Sequence, residues 1–211
     1  MEVILRKVRD VVRGFMSQFA RYLNRVTKGK LSPDGVTLFG FIMHIPVALL
    51  IAARYNIWAA IFLVIFGLFD SLDGALARAQ DKVSSSGGLL DASTDRMKEA
   101  LLYSGAAYAL ALSNHPATAA WAAAACGASV SVSYVKAKGE AIVAADKRAI
   151  PYTKLNHIFA DGLLTFEVRM TVLVVGLLVN QLAVACALIA VFAGMTALGR
   201  LSRISKYLRE E

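Results

Sequence analysis

Apolar runs close to the length of a bilayer crossing recur along this chain, and they limit its fold more than any other feature. A hydrocarbon core takes about 20 apolar residues per helix. Inside it every backbone N–H and C=O must be satisfied locally, so such runs fold as helices. We place six spans at 34–53, 57–77, 89–112, 116–137, 164–180 and 182–202. The spacing predicts an all-α integral membrane protein. In LSPDGVTLFG, Ser32 before Pro33 is an N-cap and first-turn pair that starts the first span. Pro46 is expected to kink that span, and Glu167 and Arg169 lie near the start of the fifth.

Residues 2–26 precede the spans. Val3, Ile4, Val8, Val11, Val12, Phe15, Met16, Phe19 and Leu23 fall on roughly one helical face, with Arg and Lys opposite. This pattern predicts an interfacial amphipathic helix lying on the membrane. The expected organisation is therefore a cytoplasmic-side helical segment, 1–30, followed by one six-helix transmembrane domain, 31–211. No continuous apolar core marks a cleavable leader, and we expect residence in a prokaryotic plasma membrane.

Charge supports the topology. With both termini inside, the outer loops 54–56, 113–115 and 180–182 hold only Arg54, which leaves 22 of the 23 Lys and Arg on the inner side. The net charge of +8 then reflects anionic lipid head groups as partners, not a nucleic acid, which would call for a basic face on a soluble fold. Cys126 and Cys186 stand alone in apolar runs and serve as packing residues.

Within this apolar chain, Asp70, Asp73, Asp91 and Asp95 are expensive. Asp70 and Asp73 are three apart and Asp91 and Asp95 four apart, so each pair shares a helix face. The polar turn AQDKVSSSGG folds one helix back on the other and brings the pairs together. Converging carboxylates repel unless a cation sits between them, and oxygen-only ligands favour Mg²⁺ or Mn²⁺. Asp81, in the turn, is read as solvated. Gly74, Ala77, Gly87 and Gly88 leave room for a ligand, and Arg78 suits a phosphate. A diphosphate substrate follows. The rival reading is a cation transporter with the aspartates as relay sites, although no inverted repeat or broken midplane helix is visible.

Asp70-x2-Asp73-Gly74-x2-Ala77-Arg78-x8-Gly87-x3-Asp91-x3-Asp95 resembles, at every defined position, the motif of the CDP-alcohol phosphatidyltransferases. LSPDGVTLFG is similar to that family's opening pattern, and six spans behind an amphipathic helix is its architecture. Enzymes that hold Mg²⁺ on prenyl diphosphates carry two separate Asp-rich motifs, and this chain has one composite motif. The resemblance implies a CDP-linked lipid donor such as CDP-diacylglycerol, release of CMP, and a homodimer. Asp70, Asp73 and Asp91 would hold one or two divalent ions, with Asp95 at the edge of the metal set acting as general base. Gly74, Ala77, Arg78 and Gly87 would line the nucleotide pocket.

SVSYVKAKGEA, in the fourth span, resembles the phosphatidylinositol-phosphate synthase branch and its archaeal relatives, which implies that Ser133, Lys136 and Lys138 face the acceptor. The branch's T-R-P-E-R is here Thr165-Phe166-Glu167-Val168-Arg169, which keeps Arg169 but has Phe166 in place of the first arginine. Lys147, Arg148 and Lys154 stand nearby as substitutes, and His157 is given no role. Inositol phosphate is the expected acceptor. Glycerol 3-phosphate is the alternative, and an unphosphorylated alcohol stays open.

Overall fold

The computed structural model describes residues 2–145 and 164–209, with side chains from Val12 onward. All regular structure among the described residues is helical. Helix α1 spans Glu2–Val26, α2 Pro33–Ala52, α3 Asn56–Gly67, α4 Phe69–Ala79, α5 Ser85–Ala111, α6 Ala119–Ala145, α7 Phe166–Leu178 and α8 Leu182–Arg209. A 3₁₀ turn at Pro116–Thr118 leads into α6.

Among the described residues, four segments are long and apolar enough to cross a membrane: Pro33–Ala52, Asn56–Ala79, Pro116–Ala145 and Leu182–Arg209. They coincide with the first, second, fourth and sixth predicted spans. Pro46 lies within α2, which runs unbroken from Pro33 to Ala52. The second span is α3 and α4 in series. At the joint the Leu68 N–H donates to the Ile65 carbonyl at 3.3 Å, three residues back, so one tight turn precedes Asp70. The predicted 89–112 span falls almost wholly in α5, which is 27 residues long but carries Asp91, Asp95, Arg96, Lys98 and Glu99. The predicted 164–180 span holds α7, of 13 residues.

Along these helices small and polar residues share the buried side with apolar ones such as Val47, Ile51 and Ile189, and many large apolar residues face outward. On α8 the buried side holds Ala185, Ala193, Thr196, Ala197 and Arg200, while Leu188, Phe192, Met195 and Leu198 are exposed. On α2, Thr37, Gly40 and His44 are buried, and Leu38, Phe39, Ile42 and Leu49 face outward. Small and polar groups inside with large apolar groups outside is the arrangement lipid favours. The chain is an integral membrane protein.

The helices form two compact units. The first comprises Met1–Ile51 and Ile57–Leu102. Its core joins Met16 and Ala20 of α1 to Val36 of α2 and to Leu72, Ala75 and Leu76 of α4. The apolar face of α1 therefore divides: Met16 and Ala20 pack inward, while Phe15 and Phe19 stack on each other at 6.4 Å and stay exposed. Asn24 Nδ2 donates to the Ala79 carbonyl (3.4 Å) and Gln80 Nε2 to the Leu31 carbonyl (2.9 Å), which ties α1 and its linker to the end of α4.

The second unit comprises Ala52–Asn56 and Tyr103–Glu211. In it α6 and α8 pack together, with Val143 against Ile204. Helices α7 and α8 form a close hairpin. Asn180, at φ 56°, makes the left-handed turn, and Gly176 abuts Ala185 with no space for a side chain.

Candidate active site

In the first unit a cavity of about 160 Å³ is lined from three directions. The first turns of α2 supply Pro33, Asp34 and Thr37. Helix α4 and the turn after it supply Asp73, Gly74, Ala77, Arg78 and Lys82. The start of α5 supplies Gly87, Gly88 and Asp91. Local chemistry sets each wall. Helix α4 ends with Asp81 at φ 53° and the Lys82 N–H on the Ala77 carbonyl (2.9 Å), a left-handed cap that turns the chain. Ser84 then caps α5, its Oγ accepting the Gly87 N–H at 3.0 Å. A Cβ at Gly87 would lie 3.2 Å from Ser84 Oγ and 3.4 Å from Asp34 Oδ1, so this wall is tight as well as bare.

Six expected donor-site residues thus share one space: Asp73, Gly74, Ala77, Arg78, Gly87 and Asp91. Asp73 is 5% exposed, and its Oδ2 accepts the hydroxyl of Thr37, itself 4% exposed, at 2.6 Å. Thr37 Oγ1 also lies 3.2 Å from the Pro33 carbonyl, but one O–H serves one acceptor well, and the shorter bond goes to the carboxylate. Asp91 and Arg78 carry no side-chain hydrogen bond or ion pair among the described residues. Arg78 is exposed, with its guanidinium leaning over Gly74.

Asp70 and Asp95 are arranged differently. Lys98, on α5 and 1% exposed, places its ammonium 2.5 Å from Asp70 Oδ1 and 3.3 Å from Asp95 Oδ1. The other oxygen of Asp95 lies 3.7 Å from Arg96, which also pairs with the buried Glu99. Among the described residues no group of three or more His, Cys, Asp or Glu closes on a common point, and Lys98 stands between Asp70 and Asp95. Lys98 thus places a positive charge between these two carboxylates.

Sequence context did not flag Lys98, Thr37 or Asp34. A signal existed for Lys98: it is an ionisable residue inside a predicted span, the criterion that singled out Asp70. Thr37 and Asp34 stood in a motif that already explained itself as a helix start.

The expected acceptor residues lie in the second unit. Ser133, Lys136 and Lys138 follow one another along α6, and Lys136 is 3.8 Å from Glu140 one turn on. Arg169 is not at the surface. It is 1% exposed, with Nη1 donating to the Leu164 carbonyl (3.0 Å) and the guanidinium 5.9 Å from the Phe166 ring. The residue that breaks the branch pattern therefore contacts the arginine that keeps it. Arg200, 6% exposed on α8, donates to the Val132 carbonyl at 3.1 Å, beside Ser133 in sequence. Lys147, Arg148, Lys154 and His157 lie outside the described residues.

Known proteins resemble this chain in sequence and in fold. The CDP-alcohol phosphatidyltransferase family model matches residues 30–196. The phosphatidylinositol phosphate synthase of Corynebacterium glutamicum is 38% identical over 117 residues, covering 54% of this chain and 53% of that protein. The archaetidylinositol phosphate synthase of Pyrococcus horikoshii is 33% identical over 104 residues, 49% and 54% of the two chains. The chain thus spans about half the length of these two curated relatives. Among solved structures, the Mycobacterium tuberculosis phosphatidylinositol phosphate synthase with CDP-DAG bound superposes with a TM-score of 0.75 at 26% identity, over 90% of this chain and 92% of that one. The same enzyme in complex with manganese and citrate gives a TM-score of 0.76 at 26% identity, over 90% and 88%. With Asp73, Asp91, Gly74, Gly87 and Arg78 set around one cavity and most of its length matched by the family model, the chain belongs to the CDP-alcohol phosphatidyltransferases.

Proposed function

We propose that this chain transfers a phosphatidyl-type group from a CDP-linked lipid to inositol phosphate and releases CMP. The observation that carries the donor half is the cavity shared by Asp73, Gly74, Ala77, Arg78, Gly87 and Asp91. Arg78 and Lys82 stand at it and, with no ion pair among the described residues, offer positive charge to a diphosphate, and the start of α5 brings the positive end of a helix to the same space. The acceptor half rests on SVSYVKAKGEA and on the names of the relatives.

The residues fit a divalent ion. The donor set is all oxygen: Asp73, whose Oδ2 accepts from Thr37 and whose Oδ1 accepts the Gly74 N–H, and Asp91, which has no side-chain partner among the described residues, both line the cavity. Asp70, Asp73 and Asp91 would hold Mg²⁺ or Mn²⁺, with Asp95 at its edge, and the ion supplies charge neutralisation as CMP departs. Arg78 and the α5 terminus orient the diphosphate. The acceptor hydroxyl oxygen forms a bond to the lipid-bearing phosphorus, and the phosphoanhydride bond breaks with its electron pair going to CMP. The hydroxyl proton passes to the carboxylate of Asp95, which Lys98 and Arg96 hold in place. Ser133, Lys136, Lys138 and the buried Arg169 and Arg200 serve the acceptor's phosphate, and Arg200 makes up for the guanidinium absent at Phe166.

The same reading includes six membrane spans in one catalytic domain, 31–211, with α5 and α7 as the third and fifth. It places α1 on the membrane surface, where the exposed Phe15 and Phe19 would meet lipid. It also includes a homodimer, with termini and site facing the cytoplasm of a prokaryotic cell. The test offers purified protein a CDP-linked lipid, in ester and ether forms, with inositol phosphate, glycerol 3-phosphate, serine or inositol, and Mg²⁺ or Mn²⁺. Product lipid is identified by mass and CMP is quantified. Inositol phosphate should give the product. Turnover with glycerol 3-phosphate alone would replace the acceptor, and cation flux into liposomes with no CMP from any acceptor would overturn the enzyme reading.

A further inference from the structure

We infer that Lys98 is a built-in counter-cation of the Asp70–Asp95 pair and limits the aspartate cluster to a single divalent ion, taken from the Asp73 and Asp91 side. The inference rests on the proposed reading of the aspartates as metal ligands and goes beyond it by fixing the number of ions. Its ammonium lies 2.5 Å from Asp70 Oδ1 and 3.3 Å from Asp95 Oδ1, so it occupies the place from which one ion would bridge those two carboxylates. Mg²⁺ stands about 2.1 Å from its ligand oxygens. An ion bridging the same two oxygens would overlap the ammonium, and like charges at that separation repel strongly in a water-poor site.

Lys98 has little freedom to leave. The residue is 1% exposed, and it is anchored on α5 one turn from Asp95. Charge points the same way. Four carboxylates with one ammonium and one divalent ion leave a net charge of −1, which the phosphate-binding Arg78 can offset. A second divalent ion beside Lys98 would invert the sign of the cluster. Asp73 and Asp91 differ from the other two: neither pairs with a cation among the described residues, and both open on the cavity.

The experiment counts ions and does not depend on turnover. Metal-stripped protein in detergent is titrated with Mn²⁺ alone and then with Mn²⁺ plus CDP, and free Mn²⁺ is read by electron paramagnetic resonance. Wild type should bind one Mn²⁺ per chain. Lys98→Met, which is unbranched, one atom shorter and uncharged, should bind two. Lys98→Arg, which keeps the charge, should stay at one. Two ions bound by wild type, or one ion bound by a folded Lys98→Met protein, would overturn the inference and leave the metal reading standing. Wild type that binds none, with or without CDP, would overturn both. If Lys98→Met does not fold, the wild-type and Lys98→Arg counts decide.

Discussion

Thr37→Val is the perturbation that most directly tests how the cavity is built. The substitution keeps the branched shape and removes one hydroxyl. That hydroxyl donates to Asp73 Oδ2 at 2.6 Å, with both residues buried. A hydrogen bond to a charged group contributes about 1.5–3 kcal/mol. At about 1.4 kcal/mol per tenfold, that corresponds to a factor of roughly 10 to 150 in any equilibrium that depends on the bond. Asp73 is a proposed metal ligand, and loss of a partner that orients such a ligand typically weakens metal binding by about 10–100-fold. The two estimates overlap.

The assay is CMP release against Mn²⁺ concentration at saturating donor and acceptor. Thr37→Val should raise the half-activating concentration by roughly 10–100-fold, while the rate at saturating metal stays within a few-fold of wild type. Thr37→Ser, which restores the hydroxyl, should recover most of the loss. An unchanged half-activating concentration in a folded Thr37→Val protein would refute the argument. A fall in saturating rate with no change in metal dependence would refute it equally, because Thr37 would then act on the reaction and not on the ligand.

Three other outcomes are expected. Asp95→Asn should abolish CMP release yet keep metal-dependent binding of the CDP-lipid, measured by equilibrium binding; full activity would remove Asp95 as base. Gly87→Ala crowds Ser84 Oγ at 3.2 Å and loosens the cap of α5, so it should raise the donor KM and lower thermal stability by about 1 kcal/mol. Arg169→Lys loses the planar guanidinium that bonds the Leu164 carbonyl and meets the Phe166 ring, so it should cost about 1–3 kcal/mol in unfolding and raise the acceptor KM with donor binding unchanged.

What was legible in the sequence was local. The start of α2 at Ser32–Pro33 and the turn before α5 follow from residues within a few positions of one another, and the paired faces of the aspartates follow from helix periodicity. Residues that act through partners far along the chain were not legible. Thr37 meets Asp73 36 residues on, and Lys98 meets Asp70 28 residues back. Both pairings exist only because the fold brings α2 and α5 each to α4. In sequence, Lys98 three residues past Asp95 looks like an ordinary helical ion pair.

The departures from simple pattern have a common physical origin. A charge-dense first half disqualifies α5 as an apolar span on composition, yet its Lys98 and Glu99 are buried against partners instead of facing lipid. Hydropathy averages a helix over all its faces, whereas the cost of a charge in a membrane depends on which face carries it. Phe166 makes the same point. Compared position by position with the branch pattern, it is a lost guanidinium. Placed in the fold, it packs on Arg169, while Arg200 brings a guanidinium to the Val132 carbonyl from a different helix. Phe166 and Arg200 thus both take partners that their places in the sequence do not show, and only packing reveals them.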